Sequence, residues 1–141
     1  WKNTPVENYL AIALILALAS IYGLWYQAKS GKIKGSKAKS PSLSSEDIGS
    51  ELGRRVTLLQ FSSAFCTPCR ATRVLLADIS SGLDGVKHID IDAEDNLELV
   101  RRLDIRTTPT TLLLDKYGIE VGRAVGAPKR GEVLASLAAI K

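Results

Sequence analysis

Leu58-Leu59-Gln60-Phe61-Ser62-Ser63-Ala64-Phe65-Cys66-Thr67-Pro68-Cys69-Arg70 is the stretch whose reading decides the fold. It passes from an apolar segment of β type through small residues to two cysteines. An amphipathic segment over 70–79 follows at once. Cys66 and Cys69 are the only cysteines in the chain, so one Cys-x-x-Cys carries all of its sulfur chemistry. Between a strand and a helix start, that spacing reads as a dithiol redox centre. Unpaired backbone N–H groups and the helix dipole stabilise an anion there, which favours the thiolate of the first cysteine. Pro68 has no N–H and suits a first helical turn, where that donor would be unpaired anyway. Half of a zinc site and an inert binding module are the competing readings. Zinc generally takes four ligands, and the chain offers only His88 and carboxylates besides the pair.

The charge is unevenly placed. Residues 1–40 hold six lysines against Glu7, a charge of +5. The remaining 101 residues hold thirteen Lys or Arg against fourteen Asp or Glu, a charge of −1. A nucleic-acid-binding domain would carry its own basic face, so nucleic acid is not an expected partner. The lysines instead suit the edge of a membrane. Two cysteines cannot build a disulfide scaffold, and a domain of about 100 residues does not need one.

Tyr9 to Tyr26 is eighteen residues without a charge. As a helix it is ~27 Å long, close to the hydrocarbon thickness of a bilayer. Tyr9 marks one edge, and Tyr22, Trp25 and Tyr26 mark the other, in the aromatic-belt pattern. A cleaved signal peptide is the competing reading, with Ala17-Leu18-Ala19 as its cleavage box. Against it, Glu7 cancels Lys2, the one basic residue upstream, and the apolar run continues to Tyr26. Residues 1–28 are therefore expected to form a transmembrane anchor, with residues 9–26 in the lipid bilayer. Residues 29–43 are rich in Lys, Ser and Gly and are expected to be a tether unable to pack a core. Lys29, Lys32, Lys34, Lys37 and Lys39 follow the span, which by the positive-inside rule places that side in the cytoplasm.

Residues 44–141 form the expected globular domain. Ser45-Glu46-Asp47-Ile48 resembles a helix start. The apolar run 56–61 suits a buried strand. Residues 70–79 predict a helix with Val74, Leu75 and Ile79 in the core. Residues 86–91 predict a second strand, and 96–103 a helix with Leu97, Val100 and Leu103 on one face. Residues 110–114 predict a third strand. Lys116-Tyr117-Gly118 reads as the turn of a hairpin whose second arm is 120–125. Residues 132–140 predict the closing helix. A parallel pair followed by an antiparallel hairpin implies an α/β fold, one mixed sheet with helices on both faces.

That order with an N-terminal Cys-x-x-Cys resembles the thioredoxin family over about residues 44–141. Phe65-Cys66-Thr67-Pro68-Cys69 resembles the family's Trp-Cys-Gly-Pro-Cys. Ile105-Arg106-Thr107-Thr108-Pro109-Thr110 resembles the loop that ends in its cis-proline, with Pro109 at that position. Gly126 falls at the glycine beside the family's active site. The chain also departs from the pattern. Phe65 replaces a tryptophan, and Thr67 replaces a glycine within the dipeptide that tunes the redox potential. Gln60 stands where thioredoxins keep a buried aspartate, and His88 stands near the position of its lysine partner.

The resemblance implies a thioredoxin-like fold behind one transmembrane helix, and a thiol–disulfide oxidoreductase without cofactor or metal. Cys66 would attack a substrate disulfide, and Cys69 would resolve the mixed disulfide. Thr67, Pro68, Gln60, His88, Thr108, Pro109 and Gly126 would support the site, with His88 a candidate acceptor for the proton of Cys69. Thr107 and Thr108 would pair with an extended substrate backbone. Arg70 and Arg73 flank the helix start, either supporting a thiolate or merely solvated. Arg101, Arg102, Arg123, Lys129 and Arg130 read as surface. The implied partners are protein disulfides, an electron-donating reductase and possible membrane complexes. An extracytoplasmic reductant for envelope or cytochrome maturation and a non-catalytic thioredoxin-like subunit are the alternatives.

Overall fold

The computed structural model of the chain describes residues 5–29, 31–35 and 42–140. Lys2, Lys37, Lys39 and Pro41 lie outside them. The described chain forms two units, one over 1–30 and one over 31–141.

The first unit is the helix α1, Pro5–Lys29. It is long and apolar enough to cross a membrane, with a candidate span at Val6–Lys29 and mean hydropathy 1.9. Its large side chains are exposed. Tyr22 lies 6.2 Å from Trp25 and 6.4 Å from Tyr26 between ring centroids, the neighbours that helical spacing brings together. Lys29 sits over the Trp25 ring.

The second unit is built on five strands: β1 Ile33–Gly35, β2 Val56–Ser62, β3 Val86–Asp92, β4 Thr110–Asp115 and β5 Glu120–Val125. They form one sheet in the order β1-β5-β4-β2-β3, in which only the β2/β3 pair is parallel. The helices are α2 Ser45–Ile48, α3 Thr67–Gly82, α4 Leu97–Arg102 and α5 Arg130–Ala139. Side chains alternate across a strand, so a strand buried on both faces divides its residues between two cores. On β2, Leu59 and Phe61 join Ile48 of α2 and Leu99 of α4, whereas Val56 and Leu58 join Leu76 and Ile79 of α3 and Val133 and Leu137 of α5. Every residue of β2 is buried. The expected mixed sheet with helices on both faces is the one observed.

Four local expectations are corrected. The 29–43 segment is not wholly a tether: Ile33–Gly35 pairs antiparallel with β5, in register Ile33↔Ala124. Leu43 is only 1% exposed. Strand pairing uses backbone groups, so a Lys- and Gly-rich composition does not forbid it. Leu43 is seated against Gly118, whose φ is +78°, and a Cβ there would meet the Leu43 carbonyl oxygen at 2.0 Å. The position thus requires glycine twice over. On α3, Val74 is exposed and the buried face is Cys69, Thr72, Leu76 and Ile79. The helix starts three residues before the expected one, and its stripe follows i, i+3, i+7 and i+10. On α4, Leu97 is exposed and Leu99 is buried, because the helix opens at Leu97 and turns Leu99 and Leu103 inward. Arg123 is not a surface group. It makes paired contacts with buried Glu120 at 2.8 and 3.0 Å and donates to the Leu103 carbonyl at 2.8 Å.

Candidate active site

β2 ends at Ser62, and α3 begins with Cys66 as its N-cap and Pro68 in its first turn. Cys66 and Cys69 are joined by a disulfide, with Cα atoms 5.2 Å apart. The Cys69 N–H donates to Cys66 Sγ at 3.2 Å, so the capping atom of the helix is the sulfur itself. Cys66 is half-buried, Cys69 is 1% exposed, and Phe65, Thr67 and Pro68 are exposed. One sulfur is reachable from outside and its partner is enclosed, the asymmetry that a two-step exchange requires.

Beneath the disulfide lies a polar chain. Gln60 and Ser62 share the α3 face of β2 with Leu58, by alternation along the strand. In the parallel register Leu58 pairs with His88 and Gln60 with Asp90, so His88 and Asp90 lie beside them on the same face. Gln60 is fully buried. Its Nε2 donates to the Cys69 carbonyl at 2.9 Å and to Ser62 Oγ at 3.0 Å. Its Oε1 lies 3.0 Å from His88 Nε2. An amide oxygen can only accept, so His88 carries its neutral-state proton on Nε2 and donates to Gln60. Ser62 Oγ donates to Asp90 Oδ1 at 2.5 Å, and Arg73 Nε donates to Asp90 Oδ2 at 2.7 Å.

Burial pushes the His88 imidazole below its ordinary 6.5, and the Arg73 charge pushes the same way against the opposing pull of Asp90. His88 is therefore neutral at pH 7. With Nε2 donating to Gln60, the atom of His88 that would take the Cys69 proton, directly or through a water, is Nδ1. What links His88 to Cys69 is Gln60.

The second loop is pinned to the first. The Ser63 and Thr108 hydroxyls hydrogen-bond at 3.0 Å. The Thr108–Pro109 peptide is cis, and Pro109 is buried. Thr110 Oγ1 donates to the Thr107 carbonyl at 2.7 Å. The Gly126 N–H donates to the Pro109 carbonyl at 2.8 Å, at φ +90°, where a side chain would be strained. Thr107 is exposed and Thr108 half-buried.

Sequence reasoning missed Ser62, Ser63 and Asp90. Alternation from Gln60 would have placed Ser62 on its face, but the partners of both serines depend on strand register and loop return. Among the described residues, no cluster of three or more His, Cys, Asp or Glu side chains could hold a metal ion.

A Cys-x-x-Cys disulfide capping a helix on a mixed sheet, tied through Ser63 to a cis-proline loop, defines a protein of the thioredoxin fold. The comparisons agree: the thioredoxin family model matches residues 42–139, and the chain belongs to the thioredoxin family. It is 35% identical over 72 residues to thioredoxin H5 of Oryza sativa subsp. japonica, covering 51% of this chain and 53% of that one. It is 32% identical over 84 residues to a thioredoxin of Chlamydia pneumoniae, covering 60% of this chain and 81% of that one. The chain spans about half the length of the rice relatives it matches. Among solved structures, the reduced Schistosoma mansoni thioredoxin pre-protein superposes with a TM-score of 0.55 at 22% identity, covering 63% of this chain and 82% of that one. Spinach chloroplast thioredoxin f gives 0.54 at 26% identity, covering 62% and 77%.

Proposed function

We propose that the chain is a thiol–disulfide oxidoreductase, tethered to a membrane through α1, that reduces disulfides in other proteins. The observation that carries this is the exposed/buried pair at the helix start: Cys66 half-buried with its sulfur on a backbone N–H, and Cys69 enclosed one turn on. The reduced Cys66 thiolate attacks a substrate disulfide, one substrate sulfur leaves, and a mixed disulfide forms. The Cys69 thiolate then attacks Cys66 Sγ, releasing the second substrate sulfur and leaving the Cys66–Cys69 disulfide. An electron-donating reductase returns the pair to the dithiol. Gln60 and His88 order the floor beneath Cys69. Thr107 and Thr108 offer backbone groups to an extended substrate, on a loop shaped by Pro109 and Gly126. Thr67 and Pro68 form the exposed turn between the sulfurs.

The test is trapping. Cys69→Ser should accumulate mixed disulfides with client proteins, because attack survives and release does not. Cys66→Ser should accumulate almost none. Equal trapping by both variants would refute the assignment of roles. Insulin reduction by the wild type separates an enzyme from a non-catalytic docking subunit, which would show no dithiol turnover. The reduction potential gives the direction: near the ~−270 mV of thioredoxin the pair is a reductant, and near ~−120 mV an oxidant.

The apolar exposed surface of α1 supports the anchor, and the lysines that follow it support a cytoplasmic domain. A cleaved signal sequence would leave a mature chain without α1, which N-terminal sequencing of the purified protein decides. An outward-facing domain would make the protein a reductant of disulfides in envelope proteins, keeping their thiols reduced.

A further inference from the structure

The two edges of the sheet are finished differently. One is β1, which is three residues long. The other is β3, seven residues long and in unbroken register with β2. Among the described residues no strand lies on its outer side. An open strand edge is a template for another strand, and proteins that stay alone blunt it with a short strand, a proline or a bulge. β1 is short, but β3 has none of these devices.

The outward groups of β3 can be named. The Val56 N–H donates to the Gly85 carbonyl at 3.1 Å, and the Ala93 N–H donates to the Ser62 carbonyl at 2.8 Å. Backbone groups alternate in direction along a strand, so the odd positions from 85 to 93 face β2. Val86, His88, Asp90 and Asp92 therefore turn their N–H and C=O groups outward. Asp90 fits this: the residue is exposed although its side chain is only 25% exposed, so its main chain is open. Ile89 is only partly buried, which leaves apolar surface at the middle of the same edge.

We propose that β3 pairs antiparallel with β3 of a second copy of this chain, about a two-fold axis at Ile89. Ile89 then lies opposite Ile89 of the second copy, His88 opposite Asp90, Lys87 opposite Ile91 and Val86 opposite Asp92. All seven residues of the strand are used. The four outward residues form four pairs of two hydrogen bonds, about eight in all. No two like charges are opposed, and like charges directly opposite are what destabilise such a pair. Centring the pair on Asp90 would oppose two carboxylates, and centring it on His88 would overlap only residues 86–90. The strand is thus complementary to itself in one register, as a two-fold interface requires of a single surface. This pairing is independent of the dithiol chemistry proposed above.

The test is a cysteine series in the full chain in detergent, with Cys66 and Cys69 both replaced by serine so that the new thiol is the only one. In a non-hydrogen-bonded antiparallel pair the Cα atoms are about 4.5 Å apart, within the reach of a disulfide. Ile89→Cys should therefore cross-link to itself under mild oxidation. Lys87→Cys lies on the same face but about 14 Å from its own copy, four residues along the strand, and should cross-link about tenfold more slowly or less. Tyr117→Cys, exposed on the hairpin turn, reports random collision. Cross-linking at 89 no faster than at 87 or 117 overturns the inference. A second measurement keeps the native cysteines. Sedimentation equilibrium of the wild type should show a concentration-dependent dimer. Ile89→Lys, which opposes two like charges at the axis, should raise its dissociation constant about fivefold or more. A wild type that stays monomeric, or a dimer that Ile89→Lys leaves unchanged, also overturns the inference. The cross-linking series decides should far-UV circular dichroism show that Ile89→Lys does not fold.

Discussion

Removing the polar centre of Gln60 while keeping its volume tests the network beneath the disulfide. Gln60→Met deletes three hydrogen bonds: to the Cys69 carbonyl, to Ser62 Oγ and from His88 Nε2. At about 1 kcal/mol net each, roughly 3 kcal/mol is lost. The damage is contained because two of the partners keep other bonds. The Cys69 carbonyl sits within α3 and Ser62 still holds Asp90, so His88 Nε2–H is the group left without a partner. Burying the methionine in a site that is 0% exposed returns roughly 1–2 kcal/mol. The expected net loss is about 1–2 kcal/mol, which for a domain near 100 residues lowers Tm by roughly 5–15 °C. A double-mutant cycle isolates the link to the imidazole. Gln60→Met, His88→Phe and the double variant should show a coupling of about 1 kcal/mol, because the two residues share one bond of 3.0 Å. The assay is urea unfolding of the full chain in detergent, followed by far-UV circular dichroism. Trp fluorescence will not serve, since both tryptophans, Trp1 and Trp25, precede the domain. Additivity of the two substitutions would refute the reading that Gln60 joins His88 to Cys69.

Three further outcomes are expected. The lowered His88 value means that the unfolded chain binds a proton below about 6.5 that the folded chain refuses, so stability should fall as pH drops through that window. His88→Phe should remove this part of the slope in a urea series taken from pH 7.5 to 5. Asp47 is held at about 2, first by the Ser44 N–H and then by Arg102, so its contribution is present above about 3.8 and lost as pH falls toward 2. Asp47→Asn should make the acid limb of the stability curve shallower, and an unchanged limb would show that the capping box at α2 is energetically silent. A membrane-impermeant thiol reagent applied to intact cells should miss Cys66, and a reporter fused after Lys141 should be active in the cytoplasm; labelling from outside would move the domain to the other face.

The chemistry of this protein is local, and so the sequence alone carries it. The two-residue spacing of Cys66 and Cys69, a strand on one side and a helix on the other, sets both sulfurs at a helix start whatever the rest of the chain does. The apolar runs of β2 and β4 were equally legible, because a strand covered on both faces needs no alternation to be recognised. Helix phase was less so. Val74 and Leu97 are apolar and correctly spaced, but only packing against the sheet selects which stripe turns inward, and it selected Leu76 and Leu99. The three residues at Ile33–Gly35 carry little hydrophobic signal, because what makes them a strand is the open backbone of β5. The floor of the site is the furthest from sequence. Gln60, Ser62, His88 and Asp90 are spread over thirty-one positions, and no local rule pairs them. The parallel register of β2 on β3 turns them onto one face beneath α3. Gln60 and Ser62 are buried there and are satisfied by one another, by His88 and by Asp90, which is why the network exists only in the folded chain.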